Sequence, residues 1–221
     1  MSEPAIDRAP SRLRAMIAAD VSAVRPLHAP VVRALCVAPL AVLLLVAAPL
    51  VFEWRDVEAL GWTWSWAASS LQLLAGLSLT AAALREAVPG RAWSGPALAV
   101  LVCVPAALVI AITIGSWQAS PVALGSSFLP IAIVCLMSSA ISALPVTVLI
   151  SVLAVRAFPT RAGITGMLAG LAAGLMADAG WRLFCGFSEP AHVLPAHLGG
   201  VFLAGVSGAL LTRWLSRARD Q

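Results

Sequence analysis

The sequence contains no lysine and no tyrosine, and it has little charge of any kind. Only 11 % of its 221 residues are charged, against 61 % hydrophobic. Soluble domains carry about 25 % charged and about 45–50 % apolar residues. A chain this short has no interior large enough to hide the excess. That excludes an ordinary water-soluble enzyme or binding domain, and the same apolar excess excludes a disordered chain. There is no Cys-x-x-Cys pair, no HExxH, no phosphate loop and no Ser–His–Asp arrangement, so no catalysis is expected. Without lysine, every one of the fourteen basic residues is arginine, and the net charge is +4. The arginines are split among short segments between apolar runs. That spacing reads as membrane topology rather than as a phosphate-binding face, and no nucleic-acid partner is expected.

A transmembrane helix needs about 20 mostly apolar residues. Six stretches meet that length: 34–52, 66–84, 96–115, 128–155, 162–184 and 197–214. The 33 residues before the first run are too long and too polar for a signal peptide. Arg8, Arg12, Arg14, Arg25, Arg33, Arg85, Arg91, Arg156, Arg161, Arg213, Arg217 and Arg219 fall on one side of such a bundle; Arg55 and Arg182 fall on the other. The positive-inside rule therefore places both termini in the cytoplasm. Trp54, Trp62, Trp64, Trp66 and Trp117 sit near the outer span ends, and Trp93 and Trp214 near the inner ends, as an interfacial belt requires. The chain divides into a cytoplasmic segment 1–33, a six-helix transmembrane domain 34–214 and a tail 215–221. The expected fold is an all-α polytopic bundle.

Inside the bundle, Gly163, Gly166, Gly170 and Gly174 punctuate span five, and Gly199, Gly200, Gly205 and Gly208 span six. Small residues at three- and four-residue spacing let helix backbones approach closely in lipid. Close packing of spans five and six is expected, with a homodimer seam as the lesser alternative. Span four is longer than a straight crossing needs and carries Pro145, which removes one backbone hydrogen bond, so a kink is expected there. No regular array of intramembrane charges stands out, which weakens the case for a solute path.

The four cysteines distribute unevenly. Cys36 lies at the inner end of span one and Cys103 inside span three, where a thiol serves as a small apolar filler. Cys135 lies in the outer part of span four and Cys185 at the outer end of span five. The same outer layer holds Asp178, Arg182, Glu189, His192 and His197. Thiolate and imidazole together suit copper, zinc or cadmium, while two adjacent thiols suit a disulfide. Counting residues puts Cys135 about 8 Å below its helix start, so Cys185 has to dip inward or Cys135 be reached through a cavity. Asp178 and Arg182, four apart, are placed to pair. His192 and His197 flank Pro195 in what reads as a short loop, solvated, capping or ligating.

Before the first span, Leu13, Met16, Ile17, Val21 and Val24 recur at helical spacing, with Arg12, Arg14, Asp20 and Arg25 between them. Pro26 and Pro30 end that helix. It suits either anionic lipid or a groove on a cytosolic protein.

The ordered set of features resembles the NrsF family, membrane-bound negative regulators of extracytoplasmic-function sigma factors. The resemblance runs over nearly the whole chain. It is carried by Ile17-Ala18-Ala19-Asp20-Val21 leading to Val24-Arg25-Pro26-Leu27, by Leu84-Arg85-Glu86-Ala87-Val88-Pro89-Gly90, and by Cys135 followed by the Pro145 helix and Arg156-Ala157-Phe158-Pro159. The glycine-rich fifth span ending at Phe184-Cys185, then His197 and Arg213-Trp214, completes it. Cys36 and Cys103 are extra to the pattern, and Phe158 departs from the basic or small residue expected before that proline. The resemblance implies an anti-sigma factor of the bacterial inner membrane. Leu13, Met16, Ile17, Asp20, Val21, Val24 and Arg25 would hold the sigma factor. Stress sensed at Cys135 and Cys185, with His192, His197 and Asp178 as further members, would release it. No obligatory cofactor is implied. The alternative is a small permease or metal exporter, which expects ligand flux and a polar path through the membrane.

Overall fold

The computed structural model describes residues 10–20, 27–51, 61–122 and 128–219; no strand occurs among them. Six helical stretches are long and apolar enough to cross a membrane: Pro30–Ala47, Trp62–Glu86, Gly95–Ala119, Leu129–Val155, Ala162–Phe184 and Pro190–Arg219. The element order is α1 (Ser11–Asp20), α2 (Pro30–Leu35), α3 (Ala38–Val51), α4 (Trp62–Glu86), α5 (Gly95–Ala119), α6 (Phe128–Ser142), α7 (Leu144–Val155), α8 (Ala162–Phe184), α9 (Pro190–Val193) and α10 (Gly199–Arg219), with one π-helical turn, Leu194–Leu198, joining the last two.

The outward faces are apolar. Val104, Ile133, Val134, Ile141, Phe202 and Leu210 are exposed. An exposed apolar girdle is tolerated only where the surrounding solvent is itself hydrocarbon. The interior is built instead of small residues: Ala169, Ala172, Ala173 and Ala179 of α8 are fully buried. α8 is the central rod, packed against α10, α4, α3 and α7.

The α8–α10 seam shows why the glycines are there. A Cβ on Gly166 would strike the Gly208 carbonyl, and one on Gly208 would strike the Gly166 carbonyl; one on Gly170 would strike Ala204. The two backbones touch, so dispersion contacts between main chains replace side-chain packing. These glycines are spent within one chain. Gly170→Val is expected to destabilise the bundle by on the order of 1–3 kcal/mol or more, the cost of overpacking, read as a lower melting temperature in detergent.

Two spans are broken. The first is interrupted by a turn at Cys36 and Val37 between α2 and α3, and Pro30 begins α2 at the first-turn position where its missing N–H costs nothing. The fourth breaks at Ala143, two residues before Pro145, as the proline requires. Of the N-terminal segment, α1 reaches only to Asp20; Val21, Val24 and Arg25 lie outside the described residues. Arg12, Leu13, Arg14, Met16 and Ile17 are all exposed.

At the arginine-rich end the helices are tied by charge. Glu86 is fully buried; it accepts from Arg161 Nε at 2.8 Å and from the Trp93 backbone N–H at 2.7 Å. Arg161 also donates to the Trp93 carbonyl, and the Arg85 guanidinium stacks on the Trp93 ring at 3.6 Å. Trp93 is therefore a structural tie, its indole N–H spent on the Ala82 carbonyl, rather than a free interfacial anchor. Arg33 donates to the Leu153 carbonyl, and Arg219 donates to the Val155 carbonyl. Phe158 adopts φ 57°, a left-handed conformation, with Arg219 stacked on its ring at 3.6 Å. Glu86→Gln removes the charge but keeps the shape. Because Arg161 is 36 % exposed, the loss is expected at about 1–2 kcal/mol, the low end for a hydrogen bond to a charged group, measurable in the same thermal assay.

Candidate metal centre

The end of the bundle opposite the arginine ties holds the chemistry. Cys135 on α6, Cys185 just past α8, His192 on α9 and His197 in the π turn each offer one ligand atom, and these four atoms all lie within 4.8 Å of one another. His192, His197 and Cys185 are buried; Cys135 is half-buried.

Local chain geometry makes this possible. The expectation that His192 and His197 sit in a short loop is overturned. Pro190 starts a helix at its first position, and the chain continues helically into α10 without a gap. Pro195 has no N–H to give to that helix, and the resulting slack is taken up by a π turn. α9 and that turn carry His192 and His197 with both imidazoles inward. They are 0 % and 1 % exposed, and their rings meet edge to face at 5.6 Å. The depth mismatch foreseen between the two cysteines is also resolved. α8 ends at Phe184, and Cys185, its N–H still bonded to the Trp181 carbonyl, turns into the interior within reach of Cys135, only 6 % exposed.

The spacing of the ligand atoms is compatible with an ion. Cys185 Sγ and His192 Nε2 stand 3.6 Å apart. A tetrahedral ion roughly 2.3 Å from sulfur and 2.0–2.1 Å from nitrogen sets its ligands about 3.3–3.8 Å from one another. With no pair farther apart than 4.8 Å, the cage has to close by at most about 1–1.5 Å to hold such an ion. All four cysteines among the described residues are free thiols. Two thiols and two imidazoles form a set suited to zinc, cadmium or copper.

A second layer fixes one of the ligands. His197 Nδ1 is 2.6 Å from Asp178 Oδ1. With Nδ1 committed to the carboxylate, Nε2 is the nitrogen left for a metal, and it makes no hydrogen bond. A carboxylate behind an imidazole is how metal-binding histidines are oriented. Asp178 is itself 0 % exposed and fully occupied: Oδ2 accepts from Gln72 Nε2 at 2.7 Å and from Arg182 Nε at 3.0 Å. The expected Asp178–Arg182 pair is present, but as part of a larger network. Arg182 reaches on to Thr113 Oγ1 at 3.1 Å, which ties α8 to α5. Gln72 and Thr113 were not anticipated as members. Their only signal in the sequence is a polar side chain inside an apolar span.

A small cavity of about 30 Å³ lies beside the cage, lined in part by Trp64, Ser65, Ser116, Arg182, Cys185 and His197. That is room for roughly two waters, and it gives water-sized access to two of the four ligands. The Cys185 thiol is pushed up, first by its hydrogen bond to Cys135 and then by burial. A metal must displace its proton, so apparent affinity should strengthen as pH rises, by about tenfold per unit for each thiol proton released. Competition with a chromophoric chelator between pH 6 and 8 reads this directly; a flat profile would exclude thiolate ligation.

Cys36, in the turn after α2, and Cys103, on α5, lie elsewhere and are exposed. Asp178 belongs to the network but backs a ligand instead of serving as one.

Fold and site together define a helical membrane bundle of six spans with a thiol–imidazole cage at one end and no other cluster of metal-ligating groups among the described residues. The chain belongs to the NrsF family, described as negative regulator of sigma F, which matches it over residues 17–217. That places it among regulators of sigma factors. No curated protein and no solved structure matches the chain.

Proposed function

We propose that this protein is an anti-sigma factor of the bacterial inner membrane that releases its partner when the cage is occupied. The N-terminal segment, through Leu13, Met16, Ile17, Asp20, Val21, Val24 and Arg25, holds an extracytoplasmic-function sigma factor on the cytoplasmic side, away from RNA polymerase. The cage faces the opposite side. The carrying observation is the convergence of Cys135, Cys185, His192 and His197 from three separate stretches of chain onto one point. A thiophilic ion (zinc, cadmium or copper) entering there draws those stretches together. An oxidant acts on the same pair of thiols by taking two electrons as two protons leave, joining the sulfurs.

The bundle offers a path for the effect. Cys185 follows directly on α8, and Arg161, at the other end of that rod, holds Glu86. Movement of one end of α8 is therefore felt at the end that carries the N-terminal segment. Such a switch requires two arrangements of the bundle, with the ligand preferring one.

The experiment is a reporter for the freed sigma factor in cells carrying Cys135→Ser or Cys185→Ser. Each substitution should hold the output at its unstressed level under added zinc, cadmium or an oxidant. An unchanged response in both single variants would remove the sensing role.

A further inference from the structure

Helix α5 stands apart from the bundle. Only 17 % of its most apolar stretch is buried, against 72 % for α8, and it leans mainly on α4. Between α5, α8 and α10 this leaves two apolar slots. One, of about 400 Å³, lies toward the arginine-rich end and includes Val102, Met167, Leu210 and Arg213 in its lining. The other, of about 170 Å³, includes Val102, Pro105, Leu175 and Phe202. Val102 lines both, so the two slots adjoin along the bundle.

Three features say what fills them. The 170 Å³ slot is nearly free of polar groups, so water gains nothing there, and an empty slot forfeits the dispersion contacts of its walls. From Arg213 to Phe202, α10 rises about 16 Å, close to the roughly 15 Å of one leaflet of a hydrocarbon core about 30 Å thick. At the mouth, a Cβ on Gly163 would strike the Arg213 guanidinium, so the arginine lies across a bare backbone. Arg213 has no ion-pair partner among the described residues, and Arg217 stands four residues on, on the same face of α10.

We infer that these slots form a binding site for one anionic phospholipid of the arginine-rich leaflet, with an acyl chain between α5 and the α8–α10 pair and its phosphate on Arg213. The lipid supplies the packing that the protein leaves out. It also sets how α5 stands against the pair, and α5 is the helix that Thr113 ties to Arg182 and so to Asp178. The site rests on the slot and the arginine alone and holds whether or not a sigma factor binds.

The test is native mass spectrometry of the full chain, delipidated in detergent and titrated separately with phosphatidylglycerol and phosphatidylcholine. Wild type should retain one phosphatidylglycerol with at least a tenfold preference. Arg213→Gln should bring phosphatidylglycerol down to the phosphatidylcholine level. Val102→Trp, whose side chain fills the slot from an exposed position, should weaken both by at least tenfold. Circular dichroism and melting in detergent confirm that both variants fold. No headgroup preference in wild type, a preference that survives Arg213→Gln, or undiminished binding by Val102→Trp would each overturn the assignment.

Discussion

Cys185→Ser is expected to weaken zinc or cadmium binding by the full-length protein more than about 100-fold, beyond the range for losing a supporting residue. A serine hydroxyl is a hard donor that stays protonated at neutral pH and does not replace a thiolate on a soft or borderline ion. Nothing else in the described structure stands ready to substitute, because the cage draws its two sulfurs from Cys135 and Cys185 alone. Cys135→Ser should match it. Asp178→Asn should cost less, about 10–100-fold, because it removes the carboxylate behind His197 and not a ligand. The graded order matters: equal loss in all three would mark a folding defect. Affinity retained in Cys185→Ser would show that the sulfur is not a ligand.

The second large effect concerns the other end. Deleting residues 1–30 is expected to abolish co-purification of the sigma factor from membranes, at least tenfold below the intact chain. Leu13, Met16 and Ile17 are 46 %, 62 % and 51 % exposed on α1. A ten-residue helix is marginal in water on its own. Three apolar side chains held outward on such a helix await a surface to cover them. Because none of the described side chains of α1 is buried, the bundle should survive the deletion with little change in its melting temperature. A truncated protein that retained its partner would move the docking site elsewhere.

The six spans were legible from composition alone, because apolar length is a strong signal and the polar breaks between runs are short. The glycine seam and the break near Pro145 were legible for a similar reason: each follows from what one residue type permits a backbone to do. The centre was legible only in part. Cys135, Cys185, His192, His197 and Asp178 were all candidates, but their convergence was not. Proximity there depends on two local events, the end of α8 at Phe184 that turns Cys185 inward and the π turn at Pro195, and no periodicity records either. A proline between two histidines reads as a loop; only the neighbouring helix shows that the missing N–H can be absorbed without one. Gln72 and Thr113 went unseen because a lone amide or hydroxyl in an apolar span has many ordinary roles, and only the buried carboxylate of Asp178 gives these two a purpose. Trp93's role was not legible because an indole near a span end looks the same whether it meets headgroups or donates to a helix carbonyl, here that of Ala82.

The most direct test of the whole account uses the intact complex in detergent or lipid nanodiscs, with the sigma factor bound. Cadmium or zinc is titrated in, and the fraction of sigma factor remaining on the membrane protein is followed. Release should track occupancy of the cage and should vanish in Cys135→Ser and Cys185→Ser. Metal that binds at the cage while the sigma factor stays in place, or release that proceeds equally in both serine variants, would contradict it.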